Sequence, residues 1–269
     1  MSSEMTLAGH LDELRSRVIK IVIPILIISI ISLTFGMKPL YLEQYNITIY
    51  YLVYSPYDNL AIQLTHYMQD YLLPSEVSLI QTAPGQAFFT MIYVSFLMAL
   101  IAALPIILTQ IYGFISPAFS TKIKQIGLMN VFFPTVVLFI GGLLFSFYVV
   151  VPITLIFLYN YGEAIGTASF FSINEFLPFV LQFLISFGIT FQLPVIMYAI
   201  ALADLADSRF WIHNFRYTLI ILIVFGAIVT PDGSGITMWL FAGPMIGLYL
   251  IGILLIRRRE KRIRINPVQ

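Results

Sequence analysis

The sequence predicts an all-α membrane protein of six transmembrane helices. Both termini are cytoplasmic, and an amphipathic outer loop follows the first span. Three observations predict this. The 269 residues are 59% hydrophobic and only 10% charged, whereas a soluble domain is about 45–50% apolar and about 25% charged. The apolar residues fall in six runs close to the roughly 20 residues that a bilayer crossing needs. The basic residues alternate from side to side of those runs.

The runs are residues 18–37, 88–114, 128–159, 176–202, 217–229 and 236–256. They leave a leader at 1–17 and a basic tail at 257–269, all within one integral membrane domain, 1–269. The leader carries Glu4, Asp12 and Glu13 and no small-residue cleavage site follows it, so span one reads as a retained anchor. Arg15, Arg17, Lys20, Lys122, Lys124, Arg209, Arg216 and the six basic residues of the tail fall on one side; Lys38 alone falls on the other. The positive-inside rule makes the crowded side cytoplasmic. The acids lean the other way, with Glu43, Asp58, Asp70, Glu76, Glu163, Glu175 and Asp232 outside.

Span three is long enough to tilt or emerge from the bilayer, and span five, at about 20 Å, falls short of it, which suggests local thinning. Residues 38–86 form the only large loop. Within it Leu60, Leu64, Tyr67 and Tyr71 recur at i, i+4, i+7 and i+11, one face of a helix lying on the membrane or capping the bundle. Asn46-Ile47-Thr48 is a glycosylation sequon. Residues 229–235 read as a tight re-entrant turn through Pro231-Asp232-Gly233. The prolines inside the spans kink helices, and Gly141, Gly142, Gly243 and Gly247 permit close approach of helices.

The composition excludes several chemistries. There is no cysteine, and the three histidines, His10, His66 and His213, are far apart in the sequence. A metal site, a thiol nucleophile and a disulfide are not expected; nor are a cofactor or a nucleic-acid partner. The span interiors offer amides rather than charges: Gln182 and Gln192 in span four, Gln110 and Asn130 near the ends of spans two and three. A proton-coupled pump or an intramembrane protease would need ionisable groups there. Pro194 frees a carbonyl one turn back, so the Gln192 amide is placed to bond freed backbone or a neighbouring helix. No internal repeat is visible, which weighs against the alternative of a small-molecule secondary transporter.

The leader is the densest motif: His10-Leu11-Asp12-Glu13-Leu14-Arg15-Ser16-Arg17. Asp12/Arg15 and Glu13/Arg17 are one helical turn apart. They suit a helix stitched by ion pairs as well as a docking site whose carboxylate takes an arginine from a partner.

This leader resembles the N-terminal motif of the TatC family, the polytopic receptor of the twin-arginine protein translocase. The likeness continues in order through Ser55-Pro56, Phe88-Phe89, Ala103-Leu104-Pro105, Phe114-Ile115-Ser116-Pro117-Ala118, Phe187-Gly188 with Phe191-Gln192 and Pro194-Val195, and Thr230-Pro231-Asp232-Gly233-Ser234-Gly235. The resemblance implies a concave bundle with short fifth and sixth spans, although span six here reads longer. It implies a core receptor in the cell membrane that binds twin-arginine signal peptides. Folded proteins then cross on the proton-motive force, in an oligomeric complex with single-span TatA-like and TatB-like subunits. It assigns Glu13 as acceptor of the signal arginines, Arg15 and Arg17 as orienting residues, and Phe114 and Pro117 as recognition residues. Gln192 becomes a contact for partner helices, and Pro56 and Asp232 become outer positions needed for assembly or transport. The family usually carries a second glutamate after the Phe-Ile-x-Pro-Ala run, where this chain reads Ser120-Thr121-Lys122-Ile123-Lys124-Gln125. Asp12 beside Glu13 is the nearest other negative charge. The acid that often precedes span two is also missing, replaced by Gln86-Ala87.

Overall fold

The computed structural model describes residues 7–42, 47–73, 77–115, 128–166, 170–230 and 235–265. Among them the chain is overwhelmingly helical. Four helical stretches are long and apolar enough to cross a membrane, at Leu11–Thr34, Phe132–Ala164, Ile173–Leu202 and Gly235–Arg262. Gln86–Ala102 and Leu104–Phe114 make a fifth as a pair bent by 60°, and Phe215–Val229 is a shorter apolar helix. These six segments match the six runs of the sequence. The chain divides into two compact units, Met1–Phe114 with Tyr159–Leu181, and Ile115–Leu158 with Gln182–Gln269.

In the first unit, α1 (Leu7–Thr34) packs along α3 (Gln86–Ala102). Small residues set the closeness: Ile25, Ala99 and Ala103 are buried together, with Ile21, Ile28 and Ile107 packed around them. Ser29 Oγ donates to Ser95 O at 3.4 Å across the seam. The second span is broken rather than continuous. Between α3 and α4 (Leu104–Ile115) the chain turns at Ala103, because Pro105 has no N–H to continue the ladder and suits a helix start.

Helix α1 stops at Thr34, three residues before the expected end of span one, and the next residues enter a β-hairpin that the helical reading of the loop missed. Strands β1 (Phe35–Leu42) and β2 (Ile47–Tyr54) pair antiparallel, with Met37 opposite Leu52 and Pro39 opposite Tyr50. Ile47-Thr48-Ile49-Tyr50-Tyr51-Leu52-Val53-Tyr54 is β-branched and aromatic throughout, and that was the available signal. The outer-loop helix is present as α2 (Leu60–Leu72), but its inward face is Ala61, Thr65, Met68 and Leu72, one position on from the expected stripe. Tyr67 and Tyr71 instead stack on each other, 6.5 Å between centroids, and are about half exposed. Packing on α3 selects the smaller residues; Thr65 Oγ1 lies 3.5 Å from Met91 Sδ. Short strands β3 (Ser78–Ile80) and β4 (Phe170–Ser172) pair in parallel.

The third run forms α5 (Leu128–Phe145), a π-helical turn at Ser146–Val150, and α6 (Val151–Ala164). The wider turn directly precedes Pro152, whose ring would clash with a normal α-helical carbonyl. The fourth run is α7 (Ile173–Thr190) and α8 (Leu193–Leu202), interrupted before Pro194.

In the second unit, α9 (Ser208–His213), α10 (Phe215–Val229) and α11 (Gly235–Ile265) follow. At 15 residues α10 is about 22 Å long, as short as expected. Helix α11 has 31 residues and carries the basic tail as continuous helix beyond the apolar span. Phe183, Phe187 and Phe241 are fully buried, with the Phe187 and Phe241 rings 4.4 Å apart. Tyr249, 1% exposed, donates to Trp211 O at 2.7 Å and ties α11 to α9.

Gly142 belongs to this packing and its neighbour does not. A Cβ at Gly142 would lie 2.6 Å from Phe187 O, backbone that cannot yield, whereas one at Gly141 would meet nothing within 4 Å. Gly142→Ala is expected to cost about 1–3 kcal/mol by overpacking. Gly141→Ala is expected to be neutral or to stabilise by up to about 1 kcal/mol. Thermal unfolding in detergent checks both, and equal shifts would contradict the close approach.

Candidate functional site

The leader motif lies on the first turns of α1. Arg17 reaches back one turn to Glu13, donating from Nε at 2.9 Å and from Nη2 at 2.6 Å to the same oxygen, Oε1. Both side chains are mostly covered, 23% and 22% exposed. The third guanidinium nitrogen, Nη1, donates to Gln110 O near the C-terminal end of α4 at 3.4 Å. One arginine therefore joins the leader carboxylate to the end of another helix. Glu13 Oε2 has no protein donor among the described residues, so one carboxylate oxygen is still open to an incoming N–H.

The partner helix makes room for this clasp. Gly113 lies one turn after Gln110 on the same face of α4, and a Cβ there would collide with Arg17 Nη1. Phe114, the next residue, is 37% exposed. The geometry thus brings Glu13, Arg17 and the Phe114 end of α4 into one neighbourhood. Gln110 and Gly113 were not singled out as site residues; their i, i+3 spacing just before the Phe114 motif was the only signal.

The other pair suggested by the leader does not form. Asp12 and Arg15 are exposed and make no ion pair among the described residues. Successive helix residues point about 100° apart, so Asp12 stands on a different face from Glu13. Pro117 and Asp232 lie outside the described residues.

Gln192 occupies the break between α7 and α8. Its backbone N–H goes to Ile189 O at 3.0 Å, which frees Gly188 O. The side-chain Nε2 then donates to Gly188 O at 3.2 Å and to Thr135 O on α5 at 3.3 Å. It bonds both freed backbone and a neighbouring helix; its Oε1 is buried without a partner among the described residues. Gln182 does comparable work, donating to Val229 O at the end of α10 at 3.0 Å. Pro56 is exposed, and its carbonyl accepts from Asn59 Nδ2 at 3.1 Å. That same amide donates to Leu33 O in the last turn of α1 at 2.9 Å, while Asn59 Oδ1 caps α2 by accepting from Ile62 N.

A second knot, missed by reading the tail as simply basic, surrounds Glu260. Its carboxylate accepts from Ser208 N at 2.7 Å and Ser208 Oγ at 2.6 Å. Arg259 donates to Ala201 O and lies 3.6 Å from Asp204, which ends α8 with a positive φ of 57°. The signal was one acid within six cations, Arg257 to Arg264.

The architecture defines a polytopic helical membrane protein whose charged leader is clasped to a neighbouring helix end. Comparison with known proteins narrows the class. The family model for the Sec-independent protein translocase protein TatC matches residues 9–244. The Sec-independent protein translocase protein TatC of Cenarchaeum symbiosum (strain A) is 43% identical over 260 residues, 97% of each chain. That of Aquifex aeolicus (strain VF5) is 31% identical over 97% of this chain and 99% of its own. A crystal structure of the twin arginine translocase receptor TatC superposes with a TM-score of 0.71 at 29% identity, covering 92% of this chain and 98% of that one. The chain belongs to the TatC family.

Gln192→Leu removes the donor to two backbone carbonyls inside the apolar region. A destabilisation of about 1–2 kcal/mol is expected, the scale of polar contacts within membrane helices. It is read from the unfolding midpoint in detergent; an unchanged midpoint would show that the break at Pro194 does not need the amide.

Proposed function

We propose that this chain is the core receptor subunit of a twin-arginine translocase. It binds twin-arginine signal peptides at its cytoplasmic face and works with single-span TatA-like and TatB-like subunits in an oligomeric complex. That complex passes folded proteins across the cell membrane on the proton-motive force. The chain acts by binding and assembly, with no covalent chemistry of its own. Family membership supports this reading, and so does the partition of thirteen basic residues against one, which favours six spans in one membrane domain with both ends cytoplasmic.

The observation that carries the recognition mechanism is the one-sided grip on Glu13. Arg17 spends two N–H groups on Oε1 and leaves Oε2 to a signal arginine. A charge-assisted bond of this kind contributes about 1.5–3 kcal/mol. With no acid at residues 120–125, Glu13 is the principal acceptor in this chain. Arg17 orients the carboxylate, Arg15 and Asp12 supply the surrounding charge, and Phe114 and Pro117 give the peptide an apolar surface. Gln192 is a partner-helix contact, and Pro56 and Asp232 serve assembly on the outer side.

Photo-crosslinkers placed at Asp12 and Phe114 test this with a twin-arginine peptide and its twin-lysine version. Crosslinking is expected to fall about tenfold with twin-lysine and with Glu13→Ala, the loss of roughly one such bond. Gly113→Ala, which displaces only the tip of Arg17, is expected to weaken binding several-fold without moving the unfolding midpoint. Equal crosslinking by both peptides, unaffected by Glu13→Ala, would make the leader motif structural.

A further inference from the structure

Helix α11 presents an open apolar side along its membrane span. Counting from Arg257 at about 100° per residue, Leu250, Ile251, Leu254 and Leu255 stand at about 20°, 120°, 60° and 160° around the helix. All of them are exposed, and so is Trp239, at about 0°. Met245, Tyr249, Ile253 and Ile256 stand at about 240°, 280°, 320° and 260°, and all are buried. One side of the helix therefore packs on the protein, and the opposite, apolar side faces hydrocarbon.

The helix continues unbroken to Ile265, so the same count applies to its basic end. Residues 257–262 are all charged, yet the fold sorts them. Arg257, Arg258, Lys261 and Arg262 stand at about 0°, 100°, 40° and 140°, in line with the open apolar side. They are exposed, and none makes a hydrogen bond or ion pair among the described residues. Arg259 and Glu260 stand at about 200° and 300°, on the packed side, where they bind Ala201 and Ser208. The lone carboxylate of this stretch is thus turned away from the free cations.

We propose that this face of α11 binds the headgroups of anionic lipids where the helix leaves the bilayer. Charge and position both select a lipid. The cations prolong the hydrocarbon-facing stripe, so one lipid lays its acyl chains along Leu250 and Leu254 and its phosphate against Arg257, Arg258 and Lys261. The axial spacing fits: Arg257 lies about 3 Å beyond Leu255 and Arg262 about 10 Å, against a headgroup layer about 5–8 Å thick. Helical Cα–Cβ bonds tilt toward the N-terminus, which is the bilayer side of this helix end, so the long stems lean back toward the phosphates. A basic cluster directly beyond a spanning helix is drawn to anionic lipid by each charge near the surface. A soluble polyanion would meet the cations but leave the apolar stripe below them unused. This inference needs no signal peptide and stands apart from the receptor reading.

Full-length protein is reconstituted in phosphatidylcholine vesicles with a trace of photoreactive phosphatidylglycerol or, in parallel, photoreactive phosphatidylcholine. Adducts are mapped by mass spectrometry. Labelling of residues 246–265 is expected to be about fivefold or more higher with the anionic probe. Combining Arg257→Gln, Arg258→Gln, Lys261→Gln and Arg262→Gln should bring the two probes within about twofold of each other, with the neutral probe's labelling and the unfolding midpoint unchanged. Arg257→Gln with Lys261→Gln should about halve the preference, which keeps the test open if the fourfold variant does not fold. Arg209→Gln with Arg216→Gln, which removes cations from α9 and α10, should leave the preference intact. Sodium glycerophosphate should lower it no more than sodium chloride of equal ionic strength, which separates a lipid site from one for free phosphate. In native membranes, a photo-crosslinker replacing Arg262 should give adducts of lipid mass. The proposal is overturned if both probes label α11 equally, if the preference survives loss of the cations, if glycerophosphate competes specifically, or if the crosslinker captures a protein or RNA instead.

Discussion

Every helix that ends or breaks inside an apolar environment leaves carbonyl groups that no lipid can satisfy. In this protein long polar side chains meet that demand one by one. Asn59 donates to Leu33 O at the end of α1, Arg259 to Ala201 O at the end of α8, and Gln182 to Val229 O at the end of α10. Gln192 serves Gly188 O at the break before Pro194. The polar side chains at these helix ends and breaks are thus committed to the backbone. That commitment lets kinked, short and interrupted helices persist.

How much of this was legible in the sequence follows from the same division. The six apolar runs are long-range averages over some twenty residues, and averages of that kind survive local error; all six appear as helical segments, although α1 begins at Leu7 rather than 18 and α11 runs on to Ile265 rather than 256. Gln192 was readable because Pro194 announces a freed carbonyl nearby. What could not be read were decisions made by packing. The inward stripe of α2 is shifted by one residue because α3 accepts Thr65 and Met68 and leaves Tyr67 and Tyr71 outside. The hairpin was hidden because a loop rich in leucine and tyrosine also fits a helical period. Ala103, which looks like ordinary helix, is where the second span bends, since Pro105 acts two residues later.

The candidate site shows the same limit at finer scale. The leader allowed two ion pairs, and only Glu13–Arg17 forms. That pair is selected by α4, which supplies a carbonyl for the third nitrogen of Arg17 and a glycine where its tip must lie. A carboxylate gripped on one oxygen differs from a free surface acid: its orientation is set before any partner arrives, and the ordering cost is met in the resting fold.

Arg259 and Glu260 are neighbours on α11, so their side chains leave the helix about 100° apart. They grip different segments, Arg259 the last turn of α8 and Glu260 the first turn of α9. A helix held by a single side chain can roll; one held on two sides is keyed like a shaft in its bearing. Rolling α11 would loosen one grip as it strained the other, so torque applied anywhere along its apolar length reaches residues 201–208 as a twist of that turn.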